Sequence, residues 1–229
     1  MMNKPKSKPA SGAESADQPA LLHSRSLGQL DQVQAHLVES DGRVADLFLR
    51  FVREASSLLD DPDELYAVLS RFTFEAFPQA THFALILRDG TTGELNPLLV
   101  RDRNGQSPMV AISRTLVKRV IEDSISVLYS KDHSSLGTTD SIRLSRIDAA
   151  ICSPLRCHGD TIGVLQLDVR RPARGSFGSK DVDRLAVFAH HVGLVLENLR
   201  LRDEQREAFE STIHALVLSL SLNLRVLGK

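Results

Sequence analysis

Tryptophan is absent from this chain, and only two tyrosines occur among its 229 residues. Aromatic residues make up 5% of it, which leaves little surface for stacking bases or sugars. Charge of one sign is missing too. The 28 basic and 29 acidic side chains leave a formal net charge of −1. No uniform field therefore draws nucleic acid or an anionic membrane to it. The two cysteines, Cys152 and Cys157, are too few for a disulfide framework, and no pairing between them is expected. No apolar run approaches the ~20 residues needed to span a bilayer. The basic start through Pro9 is not followed by the apolar stretch of a secretory signal. The expectation is a cytoplasmic protein without a nucleic-acid or membrane partner.

Catalytic signatures are missing as well. The chain has no Gly-x4-Gly-Lys-Ser/Thr loop, no Gly-x-Gly-x-x-Gly, no His-Glu-x-x-His and no Gly-x-Ser-x-Gly. His190 and His191 are neighbours, so on a helix they point about 100° apart and share no metal-binding face. Cys152 lies in an apolar run and reads as a small core residue, not a reactive thiol. Arg170, Arg171 and Arg174 read as a solvated loop, since three charges without aromatics make a weak footprint for phosphate. No catalytic residue, metal ligand or cofactor is assigned, and no enzymatic activity is expected.

The patterns that remain are structural. Residues 1–26 have little to bury and read as a disordered tail. A helical segment covers 27–59. It is thin at Leu27, Leu30, Val33 and Leu37, then strong from Val44 through Phe48, Phe51 and Ala55 to Leu59. Ser40 or Asp41 would cap it. Asp61 suits an N-cap with Pro62 at the first helical position, and the helix that follows stops at Pro78. The period then falls to strand spacing. Residues 81–87 and 94–103 form a hairpin around Asp89-Gly90, with a short third strand at 109–111. Ser113 caps a helix, 126–129 is another strand, and 130–146 is a polar loop. Residues 149–155 and 161–169 make a second hairpin joined at 157–160. Ser179 caps the longest helix. From Leu218 to Val226 apolar and polar residues alternate, which suits a strand, while no Gly or Pro interrupts the preceding helix. A continuing helix is preferred there, with a strand as the alternative. The fold class is α+β: a central antiparallel sheet with N- and C-terminal helices on one face and a helix-and-loop cap on the other.

One stretch carries a family resemblance. It runs Ala150-Ile151-Cys152-Ser153-Pro154-Leu155, then Gly159 to Asp168 with Ile162-Gly163-Val164-Leu165-Gln166-Leu167. Phe177-x3-Asp181 and Glu197-Asn198-x-x-Leu201 follow. These pieces, in this order and spacing, resemble the C-terminal half of a GAF domain. Asp61 to Leu65 and the Asp89-Gly90 hairpin fit its first half, so the resemblance covers about residues 60–201, with 202–229 as a helical extension. Cyclic-nucleotide-binding members carry Asn-Lys and Phe-x3-Asp-Glu. Here Val182 replaces that Glu and no Asn-Lys pair precedes it in the domain, so the resemblance does not extend to that ligand. Locally, Gly163 permits a close approach, Pro154 suits a strand end or edge, and Phe177 plugs the base of the sheet.

The resemblance implies a sensory module of signal transduction with a pocket between sheet and cap. Candidate ligand contacts are Phe83, Leu85, Tyr129, His133, Ser134, Ser135, Cys152 and Gln166. Spacing alone leaves open which face of the 83–87 strand lines the pocket. The ligand is an unidentified small molecule. The implied partners are a second copy, paired through helices 40–59 and 179–210, and an effector protein. The alternative is a dimerisation or scaffold domain whose pocket is filled by its own side chains.

Overall fold

The computed structural model describes residues 21–26, 32, 34, 35, 42–107, 114–130, 147–170 and 175–227. Its elements in chain order are β1 (Leu21–Ser26), α1 (Gly42–Ser56), α2 (Pro62–Ala76), β2 (His82–Arg88) and β3 (Leu95–Asp102). They continue with α3 (Arg114–Asp123), β4 (Ile125–Ser130), β5 (Ile147–Cys157), β6 (Asp160–Arg170) and α4 (Ser179–Leu227). The strands form one six-stranded sheet in the order β1-β4-β5-β6-β2-β3. Every pairing is antiparallel. The expected α+β class and sheet are therefore present.

Local chemistry places the boundaries. Asp61 caps α2: its Oδ1 accepts the Glu64 N–H at 3.1 Å, and Pro62 occupies the first turn. The β2–β3 turn closes on Asp89, whose Oδ1 accepts the N–H groups of Thr91 at 2.9 Å and Thr92 at 2.6 Å. At the β5–β6 turn, His158 (φ 49°) and Gly159 (φ 94°) both lie in the left-handed region. Positive φ at both central positions is the type I′ requirement of a two-residue hairpin.

Two apolar layers flank the sheet. On one face α1, α2 and α4 bury Phe48, Phe51, Phe72, Phe77 and Phe188 against Phe83, Leu85, Ile151, Leu165 and Leu167. Phe188 sits at the centre of this layer, with ring centroids 5.1 Å from both Phe48 and Phe51. On the other face α3 sets Leu116, Val117 and Val120 over Ala84, Ile86, Val127, Tyr129, Ala150, Cys152 and Val164. The strand period of two sends alternate residues of β2 to opposite layers.

Two glycines allow close packing. A Cβ at Gly163 would lie 2.2 Å from the Ile86 carbonyl oxygen. A Cβ at Gly193 would lie 2.8 Å from the Arg156 carbonyl oxygen, so α4 rests almost on the β5 backbone there. Phe177 is buried ahead of α4, as expected.

Several expectations are corrected. Residues 21–26 are not part of a disordered tail. They form β1, which pairs with β4 from Leu21↔Tyr129 to Ser26↔Ile125. Pairing of this kind uses backbone groups, so a segment with few apolar side chains can still join a sheet. Pro154 is not in an edge strand, because β5 lies between β4 and β6. The β4 ladder, however, ends at Cys152, so among the described residues the proline has no register partner in β4. Gly178, not Ser179, precedes α4, and its N–H donates to Asp181 Oδ2 at 2.8 Å. Arg170 ends β6 instead of opening a loop. The preferred helix at 216–226, by contrast, is present, with α4 running unbroken to Leu227. The suggested caps at Ser40, Asp41 and Ser113, the strand at 109–111, the loop at 131–146 and most of the thin helix at 27–39 lie outside the described residues.

Candidate functional site

β6 changes character along its length. Leu165, Leu167 and Val169 enter the layer under the helices. Gln166 and Asp168 alternate with them and point to the α3 face, opposite Cys152 and Ala150 respectively. Both are buried, Gln166 at 1% exposure and Asp168 at 2%. A polar row at strand spacing usually meets water, but here it lies inside.

The row is internally bonded. Gln166 Nε2 donates to Asp168 Oδ1 at 2.9 Å, and the Arg170 guanidinium donates to Asp168 Oδ2 at 2.7 Å. Arg170 itself is only 15% exposed. Burial pushes the Asp168 carboxyl above its usual range, while the charge and hydrogen bond of Arg170 and the bond from Gln166 oppose the rise. The pair is thus a buried charge held by its partner, and removing one member costs about 3–5 kcal/mol. His82 stands across from Asp168 in the β2–β6 register. Its pKa is lowered by burial and then by the Arg170 charge. His82 Nδ1 and the Thr81 hydroxyl are 2.9 Å apart, and the same hydroxyl accepts the Arg170 N–H at 3.0 Å.

Two atoms of this row have unused hydrogen-bonding capacity. Gln166 Oε1 and Arg170 Nε are buried, and neither has a hydrogen-bond partner among the described residues. The amide orientation follows from Asp168, since a carboxylate accepts only the NH2 end. One buried acceptor and one buried donor thus stand on the same face as Tyr129 and Cys152. Burial, followed by the Asp168 charge, raises the Cys152 thiol well above its ordinary pKa. A protonated thiol enclosed this way is a poor nucleophile.

The candidate contacts divide accordingly. Tyr129, Cys152 and Gln166 share the α3 face, with Tyr129 and Cys152 fully buried there. Phe83 and Leu85 do not join them, because their side chains enter the opposite layer beneath the helices. The open question of the β2 face resolves to Ala84 and Ile86 on the α3 side. His133, Ser134 and Ser135 lie outside the described residues. Asp168 and His82 are not among the residues the sequence singles out, and Arg170, expected in a solvated loop, is instead 15% exposed and paired with Asp168. The alternation of Gln166, Asp168 and Arg170 with apolar neighbours was the available signal. His190 and His191 sit on α4 with ring centroids 5.7 Å apart, away from this face.

Comparison with known proteins locates the fold. The family model for the GAF domain matches residues 44–196. The free methionine-R-sulfoxide reductase of Neisseria meningitidis, solved with its substrate, is 20% identical. The match covers 69% of this chain and 93% of that one, with a TM-score of 0.51. A domain of a sensor histidine kinase protein from Sinorhizobium meliloti is 18% identical, over 63% of this chain and 96% of that one, at a TM-score of 0.45. A GAF domain/HD domain protein from Geobacter sulfurreducens is 17% identical, over 64% and 98%, at 0.48. No curated protein sequence matches the chain.

Proposed function

The chain belongs to the GAF domain family, and from that membership we propose that it is a sensory module of signal transduction that binds a small polar molecule over the α3 face of its sheet. The observation that carries this is the buried row of Gln166, Asp168 and Arg170, with one acceptor and one donor left over. Unsatisfied buried polar atoms each cost about 1–3 kcal/mol, so a site that keeps two of them favours a molecule that pairs with both. Such a ligand offers a donor to Gln166 Oε1 and an acceptor to Arg170 Nε. Catalysis is not part of the proposal, since the one thiol on this face is buried and protonated.

The signal would leave through α4. That helix carries exposed Phe209, Ile213, Leu216 and Val217 beyond the body of the domain. Phe209, Ile213 and Leu216 recur at helical spacing along one side, which suits pairing with a second copy. We propose a homodimer through α1 and α4 that passes its state to an effector protein in the cytoplasm. Among the described residues no helix is long and apolar enough to cross a membrane.

The test is native mass spectrometry of the full chain purified from cells, with a thermal-shift screen of small polar metabolites and light scattering for the mass. A retained molecule or a stabilising metabolite, lost in Gln166→Leu, supports the reading. Protein without any bound molecule or response favours the second reading, a dimerisation or scaffold domain without a ligand. That alternative draws on the full burial of Leu116, Val120, Val127, Tyr129 and Cys152 on the same face.

A further inference from the structure

At the β5–β6 turn, on the side of the sheet that carries α4, a second group of side chains converges. The type I′ turn brings the His158 ring back beside Cys157, with Cys157 Sγ 3.1 Å from His158 Nδ1. Glu197 reaches the same point from α4, which the missing Cβ of Gly193 lets lie close to β5. One ligand atom from each of the three residues lies within 4.8 Å of the other two. We propose that Cys157, His158 and Glu197 form a zinc site that ties the hairpin to the long helix.

The donor set selects the ion. A thiolate and an imidazole favour zinc over magnesium or calcium, and a carboxylate completes sets of this type. Zinc holds sulfur at about 2.3 Å and nitrogen or oxygen at about 2.0–2.2 Å, so its ligand atoms stand about 3.3–3.6 Å apart. His158 is exposed and Glu197 partly so, and their side-chain torsions can close the remaining distance. On binding, the Cys157 thiol gives its proton to solvent and becomes the sulfur ligand.

The surroundings also suit a metal. Arg200 donates to both Glu197 oxygens, at 2.6 and 2.9 Å. Ligating carboxylates usually have such an outer partner, which fixes their orientation. Each oxygen keeps a further lone pair for the ion. Arg200 also pairs with Glu204, so its charge is shared and not directed at Glu197 alone. Three protein ligands leave the fourth tetrahedral position to water or another donor. Cys157, His158 and Glu197 line a cleft of about 880 Å³ that reaches Asp160 and Asp203, which gives that donor access. The site is separate from the polar row on the α3 face and does not depend on it.

The experiment is a Co2+ titration of the full chain, followed by Zn2+ competition against a chromophoric chelator. One equivalent of Co2+ should bind with tetrahedral visible bands and a thiolate-to-cobalt absorption in the near ultraviolet. Cys157→Ser should abolish the thiolate absorption. His158→Asn, which tolerates the left-handed turn, and Glu197→Gln should each weaken Zn2+ binding by at least the roughly 10–100-fold that loss of an outer-shell partner costs. Cys152→Ser should change neither signal. No thiolate absorption, or unchanged Zn2+ affinity in a folded His158→Asn protein, would overturn the assignment. So would loss of the signal in Cys152→Ser alone.

Discussion

Replacing Gly193 by alanine separates two effects of opposite sign. In an exposed helix interior, Gly→Ala stabilises by about 1 kcal/mol through helix propensity. In α4 the added Cβ would meet the Arg156 oxygen at 2.8 Å and the Arg156 nitrogen at 3.2 Å. Both are backbone atoms of a strand bonded within the sheet, so no side chain can swing aside. Overpacking of this kind costs about 1–3 kcal/mol. The obstacle is rigid on both sides, since Val192, Val195 and Leu196 anchor α4 in the same layer, which places the cost in the upper half of that range. The net expectation is a loss of about 1–2 kcal/mol. Urea unfolding followed by circular dichroism reads this directly. With a slope of about 2 kcal/mol/M, the midpoint should fall by about 0.5–1 M at unchanged slope. Gly163→Ala should fall further, because its Cβ would come within 2.2 Å of the Ile86 oxygen. If Gly193→Ala raised the midpoint, propensity would have won, and the close seating of α4 on β5 would be wrong.

The other expectations are simpler. Phe188→Ala removes the ring that joins Phe48, Phe51 and Phe77, and should cost about 3–5 kcal/mol in the same urea assay. Asp61→Ala removes the cap of α2, and should cost about 1 kcal/mol, while Asp61→Asn should cost much less. His191 is partly buried near Phe48, and its pKa is lowered by burial and then by His190. A histidine lowered on folding is protonated more readily in the unfolded chain. Its contribution is therefore complete above the ordinary histidine range, near pH 6.5, and is lost as pH falls through that range toward the lower folded value. Melting temperatures between pH 8 and 5 should fall toward acid, and His191→Gln should flatten the fall.

Much of the fold was legible because the local signals agree with the tertiary ones. Asp61-Pro62 marks a helix start in any context, and a two-residue turn ending in Gly159 between apolar strands admits few alternatives. β1 was not legible, because its pairing with β4 runs through backbone groups that every residue owns. The two faces of β2 were also beyond reach. Phe83, Ala84, Leu85 and Ile86 are all apolar, so only the packed helices decide which pair faces them. The site was half legible. Gln166 follows from the family pattern, whereas Asp168 does not stand out and Arg170 reads as solvated, because charged residues are almost never fully buried unless paired. Their pairing partner is each other, two positions apart, a relation visible in the sequence only once the strand is known to be covered on both sides.

The run of α4 past the body of the domain has a mechanical consequence. Residues 204–227 continue a helix whose first half is fixed in the core. At 1.5 Å per residue that second half is about 36 Å long. A tilt of only about 5° at the sheet would sweep its far tip through about 3 Å, enough to swap one set of side-chain contacts for another. A change too small to disturb the packing around Phe188 can thus be read at a distance, with the helix serving as a lever.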